Sequence, residues 1–399
     1  MSNKTDFSSS VHFPPFMGEE EIEAVIKVLK SKRLTLISGN RVSEFEKKFA
    51  SYIGVKYAVA VNSGTAALHT CLASLDLGPG DEVIIPPFTF IATASSVLHQ
   101  NAIPIFADID PDTYCINPEA VKSAITENTK AIIPVHLFGH PANMDPLMEI
   151  AEKNELYIIE DACQAHGALY KGKKVGSIGQ LGCFSFFESK NMMCGEGGMI
   201  TTNNQELAEK CRLIRHHGEP SWYKYVRLGY NYRMTEIQAA LGMVQLNKLD
   251  LMNERRIKYA KYYNKNLRDI LGIKIPYAAD NVKHVYHLYA PLIAPQEIGI
   301  TKDRFLAKLN EMGTVTKLIY PEPLYKSPLF QRPMGYGPEK CPFTCPYYNK
   351  EISYEINLPV VEDICNRVIG LSNFPSLEME TIEKIINLIK NVIGDLKDE

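Results

Sequence analysis

From residue 57 onward, short apolar runs alternate with stretches whose apolar side chains recur at helical spacing. The runs 58–61, 83–86, 104–107, 131–135 and 156–159 show no polar alternation, as expected of strands buried on both faces. Between them the periodicity predicts helices around 66–75, 91–100, 118–125 and 145–153. Two amphipathic helices come first, at 18–30 and 42–53. The first has an acidic opening turn and a basic closing turn that suit the helix dipole. Regular β/α alternation of this kind predicts a mostly parallel sheet with helices on both faces. Ligands of such sheets collect at the carboxyl ends of the strands. Ser63, Phe90, Asp161 and Ser185 all fall there.

After a strand at 199–202, the pattern predicts a helix to about His216, a tyrosine-rich loop at 222–232, and helices at 233–249 and 253–268. Beyond residue 250 the texture changes. Short strands such as 286–290 mix with helices at 302–312 and 378–393, and 321–354 is rich in Pro, Gly and Tyr. The expected fold class is therefore α/β, with a large sheet domain at 1–250 and a smaller α+β domain at 251–399.

Composition narrows the classes. With a net charge of −3, the chain gives no reason to expect nucleic acid or an anionic membrane as partner. No apolar run reaches the roughly 18 residues of a membrane span. The polar first residues do not form a signal peptide, and nine scattered cysteines fit a reducing, cytoplasmic compartment. Cys341 and Cys345 have no second Cys/His pair at matching spacing, so no metal is expected.

The candidate chemistry lies in one stretch. The run 157–159 ends in Glu160 and Asp161. A second apolar run, 183–187, enters a polar loop bearing Lys190, and Gly195-Glu196-Gly197-Gly198 leads back into a strand. A lysine and a carboxylate at neighbouring strand ends suit pyridoxal 5'-phosphate, which needs an amine for its aldehyde and an anion for its pyridinium nitrogen. Lys190, 29 residues after Asp161, is the candidate nucleophile. Burial is expected to lower its pKa and free the amine. Strand alternation points Glu160 and Asp161 oppositely without saying which faces a ligand. Ser63-Gly64-Thr65 opens a helix directly after a strand, which reads either as a phosphate-binding helix start or as a plain N-cap. Phe90 and Phe88 compete as the aromatic that stacks on a ring, and Asn231 reads as a turn residue.

These pieces resemble the DegT/DnrJ/EryC1/StrS sugar aminotransferases. Glu160-Asp161-Ala162-Cys163-Gln164, Ser185-Phe186 with Lys190, Gly195-Glu196-Gly197-Gly198 and 61–68 stand in the family's order, and the likeness runs from about Phe13 to Asn391. The resemblance implies the fold-type I architecture and Asp161 as pyridinium partner. It places Gln164 by the ring face, Ser63, Gly64, Thr65 and Ser185 on the phosphate, and Phe90 on the ring. It also implies that Asn231 reaches the phosphate from the other subunit of a homodimer. Members with histidine in place of the lysine run dehydrations, so Lys190 makes transamination the default. The implied reaction turns a keto-sugar, nucleotide-linked, into an amino-sugar with glutamate or glutamine as donor. Tyr320-Pro321-Glu322-Pro323-Leu324-Tyr325 also resembles the cyclitol and aminobenzoate-type branch of the superfamily, the alternative reading. A catalytically silent binding protein is disfavoured by the intact Lys190 and Asp161.

Overall fold

In the computed structural model the described residues are 15–312, 316, 319–332, 335–338, 340–344, 346–348 and 350–398, of which 395–398 are described by their backbone alone. Two helices precede the sheet, α1 (Glu19–Ser31) and α2 (Arg41–Ile53). The apolar face of α2, with Val42, Phe45, Phe49, Ala50 and Ile53, is buried. Its first two amides, Arg41 and Val42, donate to the Glu236 carboxylate at 2.7 and 3.1 Å, so a distant acid caps this helix.

The alternating region builds β1 (Tyr57–Val61), α3 (Gly64–Ser74), β2 (Glu82–Ile85), α4 (Ala92–His99), β3 (Ile103–Phe106), α5 (Pro118–Ala124), β4 (Thr129–Ile132), α6 (Met144–Lys153) and β5 (Tyr157–Asp161). A small flap of two strands, β6 (Leu169–Tyr170) and β7 (Lys173–Lys174), follows. Then come β8 (Leu181–Ser185), β9 (Gly198–Thr202) and α7 (Gln205–Arg215). The seven-stranded sheet has the order β1-β9-β8-β5-β4-β2-β3. Neighbours from β3 to β8 run parallel, and β9 alone runs antiparallel to both of its neighbours. The mostly parallel α/β fold expected from the periodicity is the one observed.

Two expectations are corrected beyond residue 230. The two helices predicted at 233–249 and 253–268 are one, α8 (Glu236–Leu267). Residues 250–252, which read as a break, continue it with Met252 buried. The strand predicted at 286–290 does not form: Tyr286 has φ 46°, and only Tyr289 makes a bridge, to Leu371. Instead Tyr286, Tyr289 and Tyr263 stack in a core with Ile382, Ile386 and Ile389 of the final helix, Met379–Asp398. We propose that a smaller unit begins near residue 250, with α8 as the shared spine. Tyr325, Phe330, Tyr354 and Ile364 pack against the large core instead.

The sheet is joined to α2 by aromatic rings. Phe49 sits 5.0 Å from Phe184 and 5.5 Å from Phe186, and Phe45 lies 5.2 Å from Phe186, all fully buried. These rings support the end of β8 that leads into the Lys190 loop. Phe49→Ala is expected to cost about 3–5 kcal/mol, read as a lowered denaturation midpoint with an unchanged slope.

Candidate active site

At the carboxyl ends of the parallel strands lies a cavity of about 520 Å³. Ser63, Gly64, Thr65, Phe90, Asp161, Gln164, Ser185 and Lys190 line it, so eight of the nine expected residues converge from separate parts of the chain. Asn231, the ninth, is exposed, makes a bridge to His216, and is not among the lining residues of this chain.

Strand alternation at the end of β5 separates the two acids. Glu160 points away from the cavity into a fully buried nest. Its carboxylate accepts from the amides of Gly176 (2.8 Å), Ile178 (2.7 Å) and Gly179 (2.7 Å) and lies 3.0 Å from His136 Nε2. The Ala142 amide donates to His136 Nδ1, so the proton of the imidazole is on Nε2 and is given to Glu160. Asp161 faces the cavity. Its Oδ2 accepts from Thr93 Oγ1 at 2.9 Å, and Thr89 Oγ1 lies 3.0 Å behind Thr93. Its Oδ1 accepts from the Cys163 amide at 3.2 Å. Both oxygens are thus oriented before any ligand arrives.

Lys190 sits in a turn closed by its amide donating to the Phe187 carbonyl at 2.9 Å. Burial pushes its pKa down, while Cys163 and Asp161 push it back in part. The same burial drives the Cys163 thiol well above its ordinary value, with Asp161 adding to the shift, so Cys163 stays protonated and is no rival nucleophile. Cys194 is buried in the core behind, its Sγ donating to the Glu196 carbonyl at 3.1 Å.

Helix α3 starts at Gly64, with Ser63 as its cap: Ser63 Oγ accepts from the Ala66 amide at 3.1 Å. The capping role and the helix-start anion site therefore coexist, because the first amides of a helix have no partner within it. Gly64 is required by close approach: a Cβ there would stand 2.7 Å from Ser185 Cβ and 3.2 Å from Cys163 Sγ. The bare helix start, the Ser185 hydroxyl, the half-exposed Phe90, the buried amine and the paired carboxylate together fit pyridoxal phosphate. Phe88, the competing aromatic, is fully buried against Tyr114, Phe138 and Tyr320 and belongs to the core.

Gln164 is pinned at both ends. Its Oε1 accepts from the Phe138 amide and its Nε2 donates to Tyr320 Oη, each at 3.0 Å. Phe138 has φ 53° and its ring stacks on Tyr320. Thr93, Phe138, Cys163, His287, Leu288, Ile319 and Tyr320 also line the cavity, and none was singled out as a cavity residue from sequence. A helix-start Thr and the Tyr320-Pro321 pair are visible in sequence, but only the fold shows which site they enter. Cys345 lies outside the described residues. Among the described residues no group of three or more His, Cys, Asp or Glu could hold a metal, and no helix is long and apolar enough to cross a membrane.

Comparison with known proteins places this geometry. The DegT/DnrJ/EryC1/StrS aminotransferase family pattern matches residues 15–356. The chain is 42% identical to GDP-perosamine synthase of Caulobacter vibrioides, covering 78% of this chain and 84% of that protein. It is 36% identical to dTDP-3-amino-3,4,6-trideoxy-alpha-D-glucose transaminase of Streptomyces venezuelae, covering 92% and 90%. The solved structure of NtdA from Bacillus subtilis, with the cofactor PMP bound, superposes with a TM-score of 0.83 at 32% identity, covering 97% and 86%.

Two expectations follow. Asp161→Asn should slow turnover about a hundredfold or more with the fold intact, whereas Glu160→Gln should cost about 3 kcal/mol of stability by leaving buried amide donors without their carboxylate acceptor. A silent Asp161→Asn beside a folded, inactive Glu160→Gln would reverse the assignment. The second expectation concerns pH in the apo-protein. With the folded pKa of Lys190 lowered, the unfolded chain binds the extra proton. The penalty is full below the folded pKa and fades as pH rises towards about 10.4. Lys190→Met apo-protein should therefore melt higher than wild type at pH 7, and the gap should close as pH approaches that value.

Proposed function

The chain belongs to the DegT/DnrJ/EryC1/StrS aminotransferase family, and from that membership we propose that it converts a nucleotide-linked keto-sugar into the amino-sugar, with glutamate or glutamine as amino donor. It is a pyridoxal phosphate-dependent transaminase. One observation carries the residue assignment: Lys190 and Asp161 line one cavity together with the bare amino end of α3.

Bound pyridoxal phosphate supplies an electron sink conjugated to the carbon that exchanges its amine. The chain supplies the rest. The helix start at Ser63, Gly64 and Thr65, with the Ser185 hydroxyl, holds the phosphate. Asp161, already oriented by Thr93 and the Cys163 amide, keeps the proton on the ring nitrogen. Phe90 would cover the ring, and Gln164, locked between Phe138 and Tyr320, would sit beside it. Lys190, its pKa lowered by burial, would carry the proton between the amine-bearing carbon of the substrate and the cofactor.

No arginine is among the described residues that line the cavity. The motif that suggested a cyclitol or aminobenzoate substrate does not discriminate here. Tyr325, its last position, is fully buried, donates to Glu362 Oε1 at 2.7 Å, and does not line the cavity.

We further propose a cytoplasmic homodimer with shared sites. Its supports are the position of Asn231 outside its own chain's cavity and the loop around it. That loop exposes Trp222, Tyr223, Tyr225, Val226 and Leu228, a run of apolar surface a monomer seldom presents. No disulfide joins the described cysteines, in keeping with a reducing compartment. Mixing inactive Lys190→Ala with an inactive Asn231 variant should return about one quarter of wild-type turnover, because half the dimers then hold one intact site. The readout is mass-spectrometric detection of amino-sugar from a panel of GDP-, UDP- and dTDP-linked keto-sugars. No rescue after proven subunit exchange would refute the shared site.

A further inference from the structure

The segment that carries Asn231 is docked on α3 by aromatic rings. Its backbone is held on both sides. The Tyr230 amide donates to the Ile214 carbonyl at 2.7 Å, the Tyr232 amide to the Arg215 carbonyl at 3.0 Å, and the Tyr232 carbonyl accepts from the Asn62 amide at 2.9 Å. In an extended run neighbours alternate in direction. Tyr230 and Tyr232 share a side, where their rings stack 5.0 Å apart and 12° from parallel, and Asn231 between them is exposed. Both rings close on His69, at 4.9 and 5.8 Å. His69 is buried on α3, one helical turn beyond Thr65 of the phosphate cup. Each nitrogen of its imidazole has a partner. Gln100 Nε2, just past the end of α4, stands 2.6 Å from Nε2, and Tyr232 Oη stands 2.9 Å from Nδ1. An amide nitrogen only donates, so Nε2 accepts and Nδ1 of the neutral ring gives its proton to Tyr232. Burial, with His99 5.4 Å away, pushes the pKa of His69 down to about 4, so the ring keeps this arrangement near neutral pH. His69 is not among the described residues that line the cavity of its own chain.

We propose that His69 is a positioning residue for the cofactor site of the other subunit: by holding Tyr230 and Tyr232 it sets where Asn231 meets the phosphate bound there. An asparagine that reaches across an interface needs a fixed backbone, because ordering a loose loop on binding costs affinity. Helix α3 then serves both sites of the dimer. Its first turn binds the phosphate of its own chain, and its second turn aims the asparagine delivered to the other. The inference rests on the shared-site reading above and adds to it the residue that aims the shared group.

The test uses holoenzyme heterodimers purified through two tags, in which one chain carries Lys190→Ala and cofactor joins covalently only to Lys190 of the other. Release of that cofactor to a scavenging apo-enzyme is followed by its visible absorbance, so the readout is retention and not turnover. His69→Leu placed in the Lys190→Ala chain should speed release from the intact site about fivefold or more, because that chain supplies Asn231. Placed in the chain that keeps Lys190, it should leave release as in the heterodimer without it. Tyr232→Phe removes only the hydroxyl that His69 bonds. It should act in the same one-sided way, and it guards against a misfolded His69→Leu chain. An equal effect in both placements, an effect only in the chain that keeps Lys190, or no effect of either variant would overturn the proposal. Asn231→Ala is measured in both placements alongside. If it acts only from the Lys190→Ala chain while His69→Leu and Tyr232→Phe are silent, this proposal alone falls. If it shows no such one-sided action, the shared site is refuted, and this proposal with it.

Discussion

The site depends on a single alternation at the end of one buried strand. Glu160 and Asp161 are neighbours in β5, and the pleat sends them to opposite faces. Glu160 anchors the strand end from behind through three backbone amides and His136, so the turn at 176–179 and the start of the loop after β4 are held to the same carboxylate. A fully satisfied buried carboxylate is rigid, because every displacement would leave charge unpaired in a medium of low dielectric. That rigidity is what lets Asp161, one residue further, present its oxygens at a defined place. The parallel strands β5 and β8 then bring Asp161 opposite Cys183 in register, two residues before Ser185.

The surroundings of Lys190 are arranged to keep charge scarce. Burial lowers its pKa, and the neighbouring His166 is pushed down to about 3 by burial and by the lysine itself. Phe184 and Phe186 flank His166 at 5.4 and 5.8 Å. Near neutral pH the back of the site is then neutral imidazole and aromatic ring, with the Asp161 carboxyl group nearby. A dry, weakly charged pocket strengthens each remaining electrostatic contact, which is what a preorganised anion needs in order to act on a ring nitrogen.

The fold was readable where burial forces a pattern. Strands covered on both faces must be apolar, so β1 to β5 declared themselves, and their carboxyl ends located Ser63 and Asp161, as the end of β8 located Ser185. The long helix α8 was read as two, because an amphipathic stripe that passes from one core to another drifts in phase and looks like a break. Its buried residues contact α1 and α2 at one end and the tyrosine core at the other. The strand expected at 286–290 failed for a related reason: its tyrosines pack as stacked rings rather than as an alternating face. Thr93, His287 and Tyr320 were missed because their roles are tertiary. Thr93 is 68 residues from the carboxylate it orients, and His287 is 96 from the amide it bonds.

This division between readable and unreadable residues follows the division of labour in the cavity. The cofactor end is built from strand ends and a helix start, elements whose sequence pattern and position are set by the sheet, and it admits little variation once Gly64 must clear Ser185. The opposite wall of the cavity is built from His287, Leu288, Ile319 and Tyr320, carried on irregular backbone between elements. Irregular segments tolerate change because no ladder of hydrogen bonds fixes their residue types. The two enzymes named above differ in the nucleotide and sugar of their names, yet each is at least 36% identical to this chain. A rigid cofactor cup joined to a replaceable substrate wall accounts for that, since specificity can be rebuilt on the loops without disturbing the strand that holds Asp161. In this chain a line of hydrogen bonds from the His166 carbonyl through Asn253 and Asn191 to His287 crosses that divide, so the orientation of the irregular wall is set from the rigid side.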